Sequence, residues 1–529
     1  MICVKLDEKI FDIIIVFFLI SSITLSGCVN VFQTDSCSIL SYAVVDNHGY
    51  PIVELQVNVT GSITLKLLNP SGVLMERKQL TGGVQTVTFE LAGYHETPLP
   101  GVYTLEACDQ HGETVAQKTF VLHSPLLSIT GFEGEWWKEG VNSYSLTEVT
   151  LSIENKGNTP VYLDEINVEI DENDVFTAPV LENSVEAGVK RQVSAFFYIP
   201  SLKKMEHKIC VRVFDYSGNM VASNEFSDTP SYETSTERFS LSWRYKGKHY
   251  SITLPVPEKL LEFYTSIKRP LLEDYTFYVI SPYDDNYVTM ISHQLLSLYN
   301  KKGEDFVNFI GSFTQSITYK EEEGEYPEFP VELLHNKFGD CEDKAIFASA
   351  LLENLGYDVA LLRFPDHMAV GVHIADATYE NRVYYQDFSG KKYLFLETSN
   401  TAWTLGNADE KYQNVVNFTL YPVISKPILI QDCEPPVRYT SMVEDYIQVD
   451  TTVKNIGTLD ADNVRVSVVF LTPHGTEING KSSDVFSVDA EKEKHVSFTV
   501  DYPDTAVAKV YVRVIHEEVI CNEVTFVFD

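Results

Sequence analysis

Three residue types, spread in order along the middle of the chain, could together do covalent chemistry: the thiol of Cys341, the imidazole of His367 and the carboxylate of Glu397. A cysteine attacks a carbonyl only as thiolate, so it needs a base beside it, and that base needs an acid to fix its tautomer. The stretch Phe338-Gly-Asp-Cys-Glu-Asp-Lys-Ala345 reads as a helix start, with Asp340 as N-cap and Asp343 at the third helical position in capping-box fashion. Cys341 then lies in the first turn, in register with Ala345, Ala348, Leu352 and Leu355 on a core-facing stripe. The positive helix end favours thiolate, but Asp340, Glu342 and Asp343 oppose it, so a histidine is required. Past Pro365-Asp366 a strand opens on His367, which shares a face with Ala369, Gly371 and His373. The strand Tyr393-Leu-Phe-Leu-Glu-Thr398 puts Tyr393, Phe395 and Glu397 on one face. A thiol on a helix, an imidazole on a strand and an acid on a neighbouring strand are the parts of acyl transfer through a thioester.

Rival residues fit blander roles. His373 sits deeper in its strand, Asp387 flanks the turn at Ser389-Gly390-Lys391, and His335 is expected in solvent. The sequence has no Cys-x-x-Cys pair and no His-Glu-x-x-His helix, so neither a metal nor any other cofactor is expected.

Further residues extend the pattern. Phe313-Thr-Gln-Ser-Ile-Thr-Tyr319, Glu325-Tyr-Pro327, Pro330-Val-Glu332, Gly339-Asp-Cys-Glu-Asp343, Gly356-Tyr-Asp-Val359, His367-Met-Ala-Val-Gly371, Glu397-Thr398 and Trp403-Thr-Leu-Gly406 occur in this order. The series, spanning about 239–406, resembles the transglutaminase-like superfamily in its archaeal and bacterial extracytoplasmic branch. The resemblance implies a papain-like α+β domain in which Cys341 is the nucleophile, His367 the base and Glu397 the orienting acid. Gln315 becomes a candidate oxyanion donor beside the Cys341 backbone N–H. The expected activity is attack on peptide or carboxamide carbonyls, with hydrolysis favoured because no feature specifies an amine site. The competing expectation is a protein that binds a peptide or cell-envelope polymer, or adheres, without turnover.

These residues need elements to hold them. A hairpin turns at Lys246-Gly247-Lys248, and helical periodicity follows over 286–300, 305–317 and 341–355. On either side the pattern alternates with period two. Val149-Thr-Leu-Ser-Ile-Glu-Asn155-Lys-Gly157 recurs in kind as Thr451-Thr-Val-Lys-Asn455-Ile-Gly457, which reads as one module type used twice. Those segments resemble CARDB-type, immunoglobulin-like modules. The predicted organisation is a signal peptide over 1–28, β-sandwiches over 29–123 and 124–228, the thiol domain over 229–410 and a last sandwich over 411–529. The fold class is therefore a multidomain chain with a papain-like α+β domain flanked by immunoglobulin-like antiparallel β-sandwiches.

The first residues read as a lipoprotein signal. An apolar run from Ile13 to Leu25 ends in Leu25-Ser-Gly-Cys28, a lipobox pattern that would leave Cys28 lipidated on the outer face of the membrane. Outside the cytoplasm disulfides form, and Cys37–Cys108 and Cys433–Cys521 sit near the ends of two β segments as candidate pairs. Cys210 reads as a small buried residue. The net charge of −35 excludes nucleic acid as a natural partner and leaves the lipid as the expected contact with membrane.

Overall fold

The computed structural model describes residues 35–231, 237–270, 272–321, 324–413, 415–440 and 445–528. The proposed signal segment and Cys28 lie outside them. Among the described residues, no helix is long and apolar enough to cross a membrane.

The expected class, built around a papain-like α+β core, does not hold. Strands account for 52% of the described residues and helices for 14%, and the described strands form eight sheets. This is a multidomain, β-rich fold. The physical reason is that helical periodicity is confined to the stretch between Glu258 and Asn354, while alternating apolar residues put the chain on both sides into strands.

The first module is one five-stranded sheet rather than two facing ones. Its strand Tyr50–Leu68 pairs along its first half with Ser36–Asn47 and along its second half with Gly101–Cys108. The ladder breaks between Val59 and Ser62, where Gly61 has φ of 78°. That left-handed residue lets the strand bend, so both halves wrap one core containing Val53, Leu65, Tyr103 and Phe120.

The second module is a sandwich. Leu127–Lys138, Tyr144–Asn155 and Lys190–Leu202 face a second sheet built on Val161–Ile170 and His207–Asp215. The last module repeats the plan, with Asp445–Asn455 in one sheet and Ala461–Leu471 in the other. The repeated asparagines do the same work in both. Asn155 Nδ2 donates to the carbonyls of Thr159 (2.8 Å) and Val185 (2.9 Å), and its Oδ1 accepts from Gly157 N–H (2.9 Å). Asn455 Nδ2 donates to those of Leu459 (2.8 Å) and Val488 (3.0 Å), and its Oδ1 accepts from Gly457 N–H (3.1 Å). The internal repeat is thus a shared hydrogen-bonded corner.

None of the candidate disulfides forms; Cys37, Cys108, Cys433 and Cys521 are free thiols, as is Cys210. Cys37 stands opposite Val59 and Cys108 opposite Thr64 on the same strand. The register thus sets the two cysteines against different points of that strand, on either side of the bend at Gly61. Cys433 lies in one sheet of the last module and Cys521 in the strand Val519–Val527 of the other. Their thiols turn to local carbonyls, of Glu434 and Val519 respectively.

Between these modules lies the segment that carries the thiol. Strands β1 (Arg238–Tyr245) and β2 (Lys248–Pro255) form the predicted hairpin. Helices α1 (Glu258–Ser266), α2 (Asp285–Leu298), α3 (Glu304–Gln315), α4 (Pro330–Asn336) and α5 (Cys341–Asn354) follow. Strands β3 (Asp358–Phe364), β4 (His367–His373), β5 (Tyr384–Gln386), β6 (Lys392–Leu396) and β7 (Thr419–Pro422) make one antiparallel sheet. Its order is β5-β6-β4-β3-β7, so the sheet takes its last strand from beyond residue 410. Trp243 and Leu254 of the hairpin, Phe309 and Phe313 of α3, and Ala345 and Leu352 of α5 share one core. Every residue of α5 from Asp343 to Leu352 is buried, as expected of a helix enclosed on all sides rather than one with an apolar stripe.

Candidate active site

Cys341 is the first residue of α5, and the approach to it is built with little freedom. Helix α4 ends at Lys337, which is left-handed with φ of 65°. Gly339 follows, and a Cβ there would come within 2.5 Å of Leu333 Cδ1, so only glycine lets the chain pass. The capping box forms: Asp340 N–H donates to Asp343 Oδ2 (3.1 Å), while Asp343 Oδ1 accepts from Glu328 N–H (2.9 Å). Below, α4 is held by a buried ion pair. Arg269 Nη2 lies 2.6 Å from Glu332 Oε1, the side chains being 8% and 3% exposed. The same guanidinium donates to the carbonyls of Tyr264, Ile267 and Pro327, each at 3.0 Å, and stacks 4.4 Å from the Tyr326 ring.

His367 opens β4 and Glu397 follows β6, on adjacent strands of the sheet. His367 Nε2 is 3.2 Å from Glu397 Oε2. The carboxylate's other oxygen accepts from the N–H groups of Ser399 (2.8 Å) and Asn400 (3.3 Å). Burial would raise this carboxyl, but the imidazole and the two amides outweigh it and hold Glu397 below the ordinary carboxylate range. The imidazole lies against the Tyr412 ring, with centroids 4.9 Å apart. The backbone of Met368, one residue on, comes near enough to the Cys341 sulfur to favour its thiolate, which puts the start of β4 near the thiol.

The thiol's immediate neighbour is acidic. Cys341 Sγ donates to Glu342 Oε2 at 3.1 Å. Burial first, and then the Glu342 carboxyl, push the thiol well above its ordinary range. Burial and the adjacent Asp340 in turn push Glu342 up. In the state described, the thiol keeps its proton. Among the described residues, Asp340, Cys341 and Glu342 are the trio whose donor atoms converge within 4.8 Å, and they are the thiol site itself. Replacing Glu342 by Gln removes the carboxylate that disfavours thiolate, so the pH at which Cys341 ionises falls. Above about pH 8, where Glu342 carries its charge, alkylation by iodoacetamide should accelerate roughly tenfold, one pKa unit of thiolate, with the rise in rate moved to lower pH. An unchanged rate-against-pH curve would show that burial alone sets the thiol.

Gln315 has a different task from the one the sequence suggested. Its Nε2 donates to the carbonyls of Glu397 (2.8 Å) and Trp403 (3.0 Å), which uses both amide hydrogens and leaves none for an oxyanion. It braces the loop after β6. Burial, and then the neighbouring Cys341, push the Tyr319 phenol up to about 12. The resembling stretch 313–319 contains it, but nothing in the sequence singled it out. His373 is spent on the sheet, its Nδ1 2.8 Å from the Lys392 carbonyl. Asp387 accepts from the N–H groups of Ser389 and Lys391 in its turn, and His335 pairs with Glu237 at 2.9 Å. A cavity of about 1220 Å³, lined by Tyr384, Trp403, Asn407, Gln413 and Phe418 among others, adjoins the braced loop, but Cys341, His367 and Glu397 do not line it.

No known family's sequence profile matches the chain, and no curated protein matches it. Among solved structures it is similar to red sea bream transglutaminase, at 10% identity over 72% of this chain and 80% of that one, with a TM-score of 0.17. It is also similar to the fibronectin(III)-like modules of Clostridium thermocellum CbhA, at 12% identity over 37% and 93%, with a TM-score of 0.13. A third likeness is to the Amycolatopsis orientalis exo-chitosanase CsxA, at 8% identity over 90% and 92%, with a TM-score of 0.15. TM-scores this low leave the chemistry to be read from the chain's own geometry.

Proposed function

We propose that this chain is a transglutaminase-like thiol enzyme, held outside the cytoplasm by a lipid on Cys28 and acting on peptide or protein carboxamides. The observation that carries the reading is the contact between His367 and Glu397, 3.2 Å apart at the start of β4, the strand whose first backbone groups lie near the Cys341 sulfur. An imidazole held at Nε2 by a carboxylate keeps Nδ1 unprotonated and available as a base. The thiol proton passes to His367 as sulfur attacks the carbonyl carbon. The C–N bond then breaks, and His367 returns the proton to the departing amine. Water attacks the thioester, giving the acid and restoring the thiol. Hydrolysis is preferred to amine transfer. The flanking modules act as spacers between lipid and site.

One observation favours a second reading. The thiol donates a hydrogen bond to Glu342, as would suit a protein that grips a peptide or wall polymer without turnover. Acyl trapping separates the two. The full chain is mixed with a p-nitrophenyl ester, quenched in acid and mapped by mass spectrometry. The enzyme reading expects a burst of about one equivalent of nitrophenol with the acyl group on Cys341, both lost in Cys341→Ala. No burst, or acylation spread over the other cysteines, would leave the binding reading.

A further inference from the structure

Helix α5 carries a lysine where a core helix ordinarily carries an apolar residue. Lys344 is fully buried, one turn past the thiol. Burying an ammonium is costly, and a side chain of similar bulk such as Met would fill the space without that cost. A charge kept at such a position points to a task.

The contacts define the task. Lys344 Nζ donates to the carbonyl of Ile317 (2.8 Å), just past α3, and to that of Ser399 (3.4 Å). Ser399 is the residue whose N–H donates to Glu397 Oε1. One ammonium thus ties α5 and the end of α3 to the turn that presents the carboxylate. Gln315 grips the same loop at Glu397 and Trp403, from the C-terminal end of α3. His367 contacts the Glu397 carboxylate directly, and the Lys344 ammonium and Tyr412 phenol lie near enough to feel its charge. Its anion therefore has a cation in the core besides the imidazole.

We propose that Lys344 is a positioning residue: through the Ser399 turn and by its charge, it holds Glu397 as an oriented anion and so fixes His367 in its Nε2–H tautomer. The consequence for catalysis rests on the thiol reading above; the tautomer does not. Burial moves Lys344 down to about 8, opposed by Glu397, so the ammonium still predominates at neutral pH.

The test uses the full chain labelled with ¹⁵N-histidine, with the His367 signals assigned by their loss in His367→Ala. At neutral pH the wild type should show His367 as Nε2–H. Lys344→Met should raise a substantial Nδ1–H population, as Glu397→Gln should, and the double variant should go no further than Glu397→Gln alone. Lys344→Gln, which keeps one donor without charge, should shift part of the way; it carries the test if Lys344→Met does not fold. A Lys344→Met protein that melts cooperatively and leaves the tautomer unaltered would overturn the proposal, as would an unaltered tautomer in Lys344→Gln. Acylation of Cys341, measured on the same proteins, should slow on the order of tenfold in Lys344→Met. If Cys341 is never acylated while the tautomer shifts, the thiol reading fails and this one stands.

Discussion

Replacing His367 by Ala is expected to slow acylation of Cys341 by about three orders of magnitude, whereas replacing His373 by Ala leaves the rate near that of the wild type. General-base catalysis supplies about 10²–10⁴-fold. The larger part of that range applies here because Cys341 starts as a protonated thiol beside Glu342. Without an acceptor for its proton, little thiolate forms at neutral pH. Glu397→Gln should fall between the two histidine variants, since the amide still contacts Nε2 but no longer carries the charge that stabilises imidazolium. Single-turnover kinetics with a chromogenic ester give all three rates. If His373→Ala proved the slow variant, the base would have to lie at the other end of β4, where the structure shows that ring bonded to the Lys392 carbonyl.

The second large effect concerns stability. Arg269→Met is expected to destabilise the chain by about 3–5 kcal/mol, because it strands the Glu332 carboxylate in the core. The double change Arg269→Met with Glu332→Leu should recover most of the loss, since an apolar pair of similar volume removes both buried charges. Urea denaturation followed by tryptophan fluorescence, with the Trp243 contribution taken from a Trp243→Phe control, reads the segment, as Trp243 lies in the same core. Should the double variant be as unstable as the single one, the ring and carbonyl contacts of the guanidinium would outweigh its charge.

The parts of the site that were legible in the sequence are those governed by local rules. The start of α5 could be read because an N-cap and its partner stand three residues apart. The placement of His367 could be read because Pro365 ends one strand and alternation begins the next. Helices α1 and α4 escaped notice: they have 9 and 7 residues, too short for a periodic signal. The role of Gln315 depends on carbonyls 82 and 88 residues away, which no local rule reaches. Nothing in the sequence singles out Lys344, which follows Glu342 and Asp343; only the enclosure of α5 on every side buries it. The cysteine pairings were drawn from position near segment ends, but strand register decides proximity, and it separates Cys37 from Cys108. The papain-like α+β core does not hold because helical periodicity is confined to the stretch between Glu258 and Asn354, while strands make up most of the described residues.

Strand β7 alters what can be regarded as a separable unit. Residues 419–422 pair with Ala360–Arg363 of β3, the strand that leads directly to His367. A fragment cut at residue 410 would expose the backbone donors and acceptors of β3 along that edge, a template for intermolecular pairing. The same segment continues through Lys426, whose ammonium pairs with Asp274 and whose carbonyl accepts from Thr458 N–H of the last module (3.0 Å). Tension applied to the C-terminal module would therefore be borne by the sheet that carries the imidazole.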